Sequence, residues 1–277
     1  MHETNLVDVK NRLWDGCLNV RVVCSSSESE EIEYLFAGLR NSYIPLYIQS
    51  IVKYFSNFIP ELGDGLPVWL EYAGVPLKWH LPIGVLYDFL HIPSLIDHDY
   101  KLANEWVLVL KYSRVYPSEI IPFYYQSDTQ EPDYMRSLKE VVVNQLKQSC
   151  FVMNGNSKKI MNLSEENSND LWTSIVKHNL RVYTGINKKI VPTLNKIQRL
   201  PIKILIPGTG IMIQAPIYPK DFVTLKDMLS EHLPKPIKSN YKTYIQGVEL
   251  NTEIPLIDVW ELFKHLDNFL YIIIIIT

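Results

Sequence analysis

Few residues of this chain stand at spacings that would support metal binding or catalysis. Its seven histidines are scattered. The two nearest to carboxylates, His91 and His98, form neither the H-x-x-x-H nor the H-E-x-x-H pattern of zinc sites. Asp97, His98 and Asp99 are more simply a polar turn. We therefore expect no metal, no cofactor and no catalytic residue.

Three cysteines could supply a nucleophile or a disulfide. Cys17 and Cys24 lie in a strand-like run, and Cys150 precedes Phe151 and Val152, so the sequence favours buried, inert thiols. They form no C-x-x-C pair, and an odd number leaves one thiol over in any disulfide scheme, which favours a reducing cytosolic compartment. A cysteine–histidine dyad stays open at this stage, because its partners meet in space and not along the chain.

Phosphate and nucleic-acid binding have little support in the sequence. Gly208 and Gly210 flank Thr209, but the lysine and following helix of a phosphate-binding loop are missing, so a hairpin turn explains them. The net charge is −3 and the sequence pI is about 6.2. The chain therefore has no basic excess for a nucleic acid, and we expect no nucleic-acid partner.

Two stretches of the chain share one pattern, which predicts two copies of one domain. Residues 68–77 and 241–250 each read as a strand, a glycine turn at Gly74 or Gly247, and a short polar step to a leucine. Each stretch is followed by a proline, a short apolar helix and a final strand. These later elements are 82–90 and 105–111 in the first copy, and 255–263 and 269–277 in the second.

The residues before the first glycine turn complete the first copy. Strand-like residues 17–24 and 31–38 flank the turn-forming 25–28, which predicts a hairpin. Ser42 can cap a helix over 44–58, whose apolar residues recur at spacings of three and four.

The second copy repeats this order. Residues 202–206 and 211–215 flank a glycine-rich turn, and Thr224 with Asp227 forms a capping-box pair at the start of a helix over 225–233. Both copies thus have the order of the ubiquitin-like β-grasp fold: hairpin, helix, strand with a glycine turn, short helix and last strand.

Between the copies the spacing becomes helical. A first helix carries Met135, Leu138, Val142 and Leu146 on one face, and a turn follows at 154–157. Ser164 starts a longer helix that ends near Lys188 and Lys189. Its apolar stripe is Trp172, Ile175, Val176, Leu180 and Tyr183.

The predicted fold class is α+β, with two ubiquitin-like β-grasp domains flanking a helix-rich domain. A chain of 277 residues suits two domains of ~90 residues and a connector. The predicted divisions are an N-terminal helix with the first ubiquitin-like domain over 1–115, a linker over 116–131, the helix-rich domain over 132–190 and the second ubiquitin-like domain over 200–277.

Neither end of the chain predicts a membrane span or a targeting signal. Residues 1–14 are acidic and amphipathic, with Leu6, Val9 and Leu13 on one helical stripe, which is typical of a docking helix of the folded protein. The apolar run 271–276 is far shorter than the ~20 residues of a spanning helix. A buried central strand is the better interpretation.

Three segments together resemble the autophagy protein 5 family in a fungal form: residues 70–90, 144–161 and 267–274. The resemblance covers essentially the whole chain. It implies a non-catalytic subunit of a ligase-like complex, which accepts the ubiquitin-like modifier autophagy protein 12 on a lysine and binds the coiled-coil autophagy protein 16. The assembly would work with the conjugating enzyme for autophagy protein 8 and promote transfer of that modifier onto phosphatidylethanolamine. The implied location is cytoplasmic, and peripheral on the preautophagosomal membrane.

The resemblance also implies which lysine is the acceptor. The family's acceptor falls in the step Leu146-Lys147-Gln148 of the first central helix. Lys139 with Glu140 offers a similar dipeptide, but residues 150–158 fix the register on Lys147. The chemistry requires an uncharged amine that attacks a thioester, whereas a free lysine is almost wholly protonated at neutral pH. Deprotonation must therefore come largely from the enzyme, and the chain contributes a helix that presents the amine.

Two further interpretations remain at this stage. Lys158 and Lys159, beside the turn at 154–157, form a weak membrane-facing patch, with a solvated loop as the alternative. The alternative function is an adaptor of two β-grasp modules that binds proteins or membranes and whose central lysine is never modified.

Overall fold

The computed structural model of the chain describes residues 3–25, 31–97, 105–129, 131–237 and 240–277. It divides into two compact units. The first unit is Cys17–Val141, and the second combines Val142–Thr277 with the N-terminal helix α1 (Glu3–Trp14). Most of the predicted turn at 25–28, the pair His98 and Asp99, and the side chain of Leu6 lie outside the described residues.

The first unit is built on a five-stranded sheet. Its strands are β1 (Cys17–Ser25), β2 (Glu31–Leu39), β3 (Val68–Tyr72), β4 (Val75–Pro76) and β5 (Trp106–Tyr112). Their order is β2-β1-β5-β3-β4. β1 and β2 form the predicted hairpin, β5 runs parallel to β1, and β3 runs antiparallel to β5.

Among the described residues, three α-helices lie wholly within the first unit: α2 (Pro45–Phe55), α3 (Ile83–Leu90) and α4 (Ile92–Asp97). α2 is shorter than the predicted 44–58. It begins at Pro45, which has no N–H group to be capped, and Ser42, the predicted N-cap, is buried while its carbonyl accepts a hydrogen bond from the backbone of Ile83. Phe58, expected on the buried stripe, lies beyond the helix and is exposed.

The predicted linker over 116–131 is tied to the first unit. Phe123 and Ile120 are buried, and Phe123 stacks on Trp79 with ring centroids 4.6 Å apart. The indole N–H of Trp79 donates to the carbonyl oxygen of Ile121 at 2.7 Å, which satisfies a buried donor. Two short strands, β6 (Tyr124–Tyr125) and β7 (Pro132–Asp133), pair here.

The second unit contains a sheet with the same plan. Its strands are β8 (Ile202–Ile206), β9 (Ile211–Ile213), β10 (Tyr241–Ile245), β11 (Val248–Glu249) and β12 (Leu270–Ile276). Their order is β11-β10-β12-β8-β9, and β12 runs parallel to β8. Strands β8 to β12 correspond in sequence order to β1 to β5. With this correspondence, the order of the second sheet is that of the first sheet read from the other edge. The predicted duplication of a β-grasp domain is therefore confirmed.

The glycine turns of the two copies have matching backbones. Ala73 and Gly74 have φ angles of 48° and 79°, and Gln246 and Gly247 have φ angles of 53° and 78°. Two successive positive φ angles are characteristic of a type I′ hairpin turn, whose twist matches that of the flanking strands. The pattern that predicted the duplication therefore corresponds to one turn geometry used twice.

The isoleucine run at the C-terminal end forms β12, as predicted. β12 lies between β10 and β8, and its residues from Leu270 to Ile275 are buried. A strand buried on both faces needs no polar alternation, which explains the continuous apolar run.

The remaining helices are α5 (Tyr134–Asn154), α6 (Lys158–Met161), α7 (Glu165–Val176), α8 (Leu180–Ile190), α9 (Leu225–His232) and α10 (Leu256–Phe263). α7 and α8 replace the single long helix predicted after Ser164. His178 adopts a left-handed φ of 52°, and the Asn179 side chain caps α8 by accepting from the backbone of Val182. A left-handed residue followed by an N-cap ends one helix and begins the next.

The N-terminal helix packs within the second unit and not, as the sequence predicts, with the first ubiquitin-like domain over 1–115. Trp14 is buried and stacks on His178 at a ring distance of 4.5 Å. Lys10 forms an ion pair with Glu261 of α10 at 2.9 Å. These contacts identify residues 3–14 as the predicted docking helix and locate its docking surface.

Candidate functional site

The candidate acceptor lies on α5, which is anchored by a row of apolar residues. Leu138, Val142, Leu146, Cys150 and Met153 recur every three or four positions and are all buried. Met135, predicted on the same face, is 37% exposed because it lies in the first turn of the helix. The buried row fixes the rotation of α5 and therefore the direction of every other side chain on it.

Lys147 follows the buried Leu146 and is itself half-buried. In the part of the chain that the structure describes, its amine takes part in none of the ion pairs or side-chain hydrogen bonds. The aliphatic stem of Lys147 is therefore partly covered by the protein, and no described carboxylate holds its amine in an ion pair.

A groove of about 190 Å³ lies beside Lys147, between α5, α6 and α7. We call it the acceptor groove. Its lining includes Val143, Leu146, Lys147, Ile160, Met161, Ser168, Leu171 and Trp172. Lys147 and Ser168 are the only residues of the lining with a charged or hydroxyl side chain. The surface next to the candidate amine is therefore concave and predominantly apolar.

Lys139, the alternative acceptor, has different surroundings. It lies eight residues before Lys147, about 12 Å along the helix axis at 1.5 Å per residue. It is half-buried too, but it does not line the acceptor groove. Its neighbour Glu140 is paired with Arg136 at 3.5 Å. The two lysines therefore present their amines to distinct surfaces.

The turn after α5 is held by side-chain amides. Asn154 donates from Nδ2 to the carbonyl oxygens of Cys150 and Ile190, at 3.0 and 3.3 Å. Gly155 has a φ of 73°, which residues with an L side chain rarely adopt. The backbone N–H of Gln198 donates a hydrogen bond to the carbonyl oxygen of Met153. The predicted turn at 154–157 is confirmed, and it sets the angle at which α6 leaves α5.

Lys158 and Lys159 lie on α6, a one-turn helix that the sequence analysis did not predict. Both are exposed. The signal for this helix is Asn156, whose Oδ1 accepts from the backbone N–H of Lys158 at 3.0 Å. The structure thus places the basic pair on the surface of a short helix and not in a loop.

The other candidate residues are accounted for by the fold. Nδ1 of His91 and the hydroxyl oxygen of Tyr72 share a hydrogen bond of 2.7 Å. Burial lowers the pKa of His91. Over the described residues, no group of three or more His, Cys, Asp or Glu could hold a metal ion. Gly208 and Gly210 form the hairpin turn between β8 and β9, both with positive φ.

The cysteines match the sequence analysis only in part. All three are free thiols. Cys24 and Cys150 are buried, and burial raises the pKa of the Cys24 thiol. Cys17, predicted to be buried, is exposed; it is the first residue of β1 and precedes the stretch Val20–Val23 that pairs with β5. Cys150 contacts the carbonyl oxygen of Asn156 and the amide of Asn154, both at 3.6 Å.

None of the described helices combines the length and apolarity that a membrane crossing requires.

Two β-grasp domains around a helix bundle define a class of double ubiquitin-like proteins, and the comparisons with known proteins identify its family. Three family models match in order: the UblA domain of autophagy protein ATG5 over residues 13–112, its alpha-helical bundle region over 135–193 and its UblB domain over 199–274. The chain belongs to the autophagy protein 5 family.

Full-length relatives agree. Autophagy protein 5 of Debaryomyces hansenii is 49% identical and covers 98% of this chain and 96% of its own. That of Candida albicans is 45% identical and covers 98% of both. The crystal structure of Kluyveromyces marxianus Atg5 matches the fold with a TM-score of 0.75 at 24% identity, over 96% of this chain and 98% of the other. The predicted family, its fold and a role in autophagy are thereby confirmed.

Proposed function

We propose that this chain accepts the ubiquitin-like modifier autophagy protein 12 on Lys147 through an isopeptide bond. The observation that carries the proposal is the environment of Lys147. It is half-buried on a helix fixed by five buried residues, it is unpaired among the described ionic groups, and it lines an apolar groove. Membership of the autophagy protein 5 family supports an acceptor role over an enzymatic one.

The reaction makes limited demands on the acceptor. The uncharged nitrogen of Lys147 attacks the carbonyl carbon of the thioester between the modifier's C-terminus and a cysteine of its conjugating enzyme. A C–N bond forms, the C–S bond breaks, the nitrogen loses a proton and the departing sulfur takes one up as a thiol. This chain positions the nitrogen of Lys147 and holds it in no described ion pair. The enzyme provides the base.

The same proposal covers the rest of the assembly. The conjugate, with the coiled-coil autophagy protein 16, promotes transfer of autophagy protein 8 from its conjugating enzyme onto phosphatidylethanolamine. The chain takes part as a non-catalytic, ligase-like subunit, cytoplasmic and peripheral on the autophagosomal precursor membrane. Two β-grasp domains and a helix bundle in one chain provide several independent surfaces on which such partners can be brought together.

Replacement of Lys147 tests the proposal. Lys147→Arg keeps the charge and most of the stem, but its guanidinium stays protonated and does not attack a thioester. In a reconstituted conjugation reaction we expect no conjugate from Lys147→Arg and a normal yield from Lys139→Arg, with unchanged thermal stability in both. If Lys147→Arg conjugates normally, the acceptor lies elsewhere. If neither the variants nor the wild-type chain form a conjugate, the alternative function, an adaptor that is never modified, is the better account.

A further inference from the structure

We propose that the outer edge of β2 is a docking surface for an extended, basic segment of another protein, which adds to the sheet of the first unit as a further strand. Among the described strands, β2 ends that sheet and pairs with β1 alone. A strand at an edge presents a row of unpaired backbone N–H and C=O groups, which is the template for strand addition. The surface lies within the first unit and does not involve Lys147.

The backbone of Leu39 shows which groups of β2 point outward. Its N–H donates to the hydroxyl oxygen of Tyr47 at 3.1 Å, and its carbonyl oxygen accepts from a backbone N–H three residues further on, so both groups point away from β1. In an antiparallel strand, every second residue directs its backbone groups to the same side. Glu33, Leu35 and Ala37 therefore direct their N–H and C=O groups outward, and no hydrogen bond of the described residues uses them.

The side chains of β2 alternate between two environments. Those of Glu31, Glu33, Leu35 and Ala37 are exposed, while those between them are half-buried. Leu35 alone is apolar and large, and it is 58% exposed. An added strand with an apolar side chain opposite Leu35 would remove both side chains from water.

On the other face of β2, aromatic rings extend to the residues after α2. Tyr34 packs against Tyr54 with ring centroids 5.1 Å apart, and Tyr54 packs against Phe58 at 5.4 Å. Phe58 is 51% exposed. Exposed apolar side chains grouped beside an open strand edge are characteristic of interaction surfaces. The added strand therefore carries apolar side chains on this face.

The charge of the edge selects the partner. Residues 28–33 contain four glutamates and no lysine or arginine. Arg21 of β1 is shared between Glu33 at 3.3 Å and Glu105 at 3.2 Å, and Glu31 belongs to none of the described ion pairs. Opposite charges across a strand pair stabilise it, and like charges destabilise it. A second copy paired through this edge would add its own glutamates, whereas a segment with lysine or arginine opposite Glu31 and Glu33 would neutralise them.

The test measures binding of fluorescent peptides to the whole chain by anisotropy. The peptides have the 9-residue length of β2, and they alternate either valine with lysine or valine with glutamate. Leu35→Pro removes an outward N–H, which an edge strand tolerates because that group does not pair with β1. Leu35→Ala is its control, since it shortens the side chain and keeps the N–H.

A second pair of variants tests the charge. Glu31→Lys reverses a charge on the edge. Glu119→Lys makes the same change at an exposed residue of the first unit that lies outside the sheet and in none of the described ion pairs. The two variants therefore share their net charge and differ in where it is placed.

We expect the valine–lysine peptide to bind and the valine–glutamate peptide not to bind. Leu35→Pro should weaken binding about tenfold relative to Leu35→Ala, because one hydrogen bond of the added strand is lost. Glu31→Lys should weaken it about fivefold at low salt, and Glu119→Lys should have little effect. Circular dichroism of each variant should match that of the wild type.

Amide hydrogen exchange of the wild-type chain, measured by NMR, reads out strand addition without any variant. With the valine–lysine peptide bound, the N–H groups of Glu33, Leu35 and Ala37 should exchange more slowly. Those of Tyr34 and Phe36 point toward β1 and should change little.

Several results would overturn the inference. Equal binding of the two peptides, or binding of neither, would exclude selection of a basic strand. Equal affinities of Leu35→Pro and Leu35→Ala, or unchanged exchange at Glu33, Leu35 and Ala37, would exclude the backbone edge. A dimer of the wild-type chain that Leu35→Pro dissociates would identify a second copy as the occupant. None of these results bears on the acceptor role of Lys147.

Discussion

At the scale of single residues, the pairing of Trp14 and His178 decides where the N-terminal helix lies. The indole N–H of Trp14 donates to the carbonyl oxygen of His178 at 3.1 Å, and Nε2 of His178 donates to the carbonyl oxygen of Trp14 at 2.8 Å. Two reciprocal hydrogen bonds and a stacked ring pair thus join α1 to the connection between α7 and α8.

This pair predicts a pH dependence. Burial lowers the pKa of His178, although the carbonyl of Trp14 and the charge of Asp15 oppose the shift. Because the pKa in the folded state lies below the unfolded value of about 6.5, the unfolded chain binds the proton more readily, and stability is lost as the pH falls below about 6.5. His178→Gln removes this contribution, so it should lose less stability than the wild type between about pH 7.5 and pH 5.5.

The measurement is the free energy of unfolding in urea at both pH values. The pKa of His91 is also lowered by burial, so part of the pH dependence should remain in His178→Gln, and His91→Gln should remove that part. Identical pH dependence in the wild type and His178→Gln would show that the docking contact does not depend on the protonation of His178.

Among the elements, the elbow between α5 and α6 and the middle of α8 use glycine for opposite reasons. Gly155 has a φ of 73°, and an added Cβ would also lie 2.8 Å from Oε1 of Gln198. Gly185 lies exposed inside α8, where a Cβ would meet nothing within 4 Å. The first glycine is required by the backbone, whereas the second only lowers helix propensity.

Alanine at the two positions should therefore have effects of opposite sign. Gly155→Ala should lower the free energy of unfolding by about 1–2 kcal/mol, mainly through its left-handed backbone. Gly185→Ala should raise it by about 0.5–1 kcal/mol. Both are measured by urea unfolding. A neutral Gly155→Ala would mean that the turn relaxes freely and does not fix the position of α6.

Local signals in the sequence predicted most elements, while the interruptions depended on the folded structure. The capping box of α9 is present as predicted: Thr224 accepts from the backbone of Asp227 at 3.1 Å, and Asp227 accepts from that of Thr224 at 2.9 Å. The break at His178 was missed because the apolar spacing continues through it, although Asn179 offered a capping signal. Four residues of α6 are too few to give a periodic pattern.

The candidate site was predictable only in part, because local spacing locates residues on a helix but does not show which helices pack together. The position of Lys147 on a helix follows from the spacing of Leu138, Val142 and Leu146. The acceptor groove does not, because it is formed by residues of α5, α6 and α7 that come together only in the folded unit.

Across the whole molecule, one β-grasp plan is used twice and the helix bundle carries the candidate chemistry. This arrangement leaves Lys158 and Lys159 exposed on α6, and we predict that they face an anionic membrane. Each basic residue near such a surface contributes about 1 kcal/mol, so the pair can orient the protein but cannot anchor it.

Flotation with vesicles that contain anionic lipid tests this patch. Lys158→Glu with Lys159→Glu should weaken flotation measurably. Lys188→Glu with Lys189→Glu carries the same change of charge on exposed residues of α8 and should have little effect. Equal losses from the two pairs would indicate a general effect of net charge and would dismiss a local patch on α6.

The attachment point of the modifier is the central claim, and mass spectrometry of the reconstituted conjugate measures it most directly. Proteolysis of the conjugate should yield a branched peptide in which the modifier's C-terminal residue is joined to Nζ of Lys147, with Lys139 recovered in unbranched peptides. A branch at Lys139, or at any lysine outside the acceptor groove, would contradict the account.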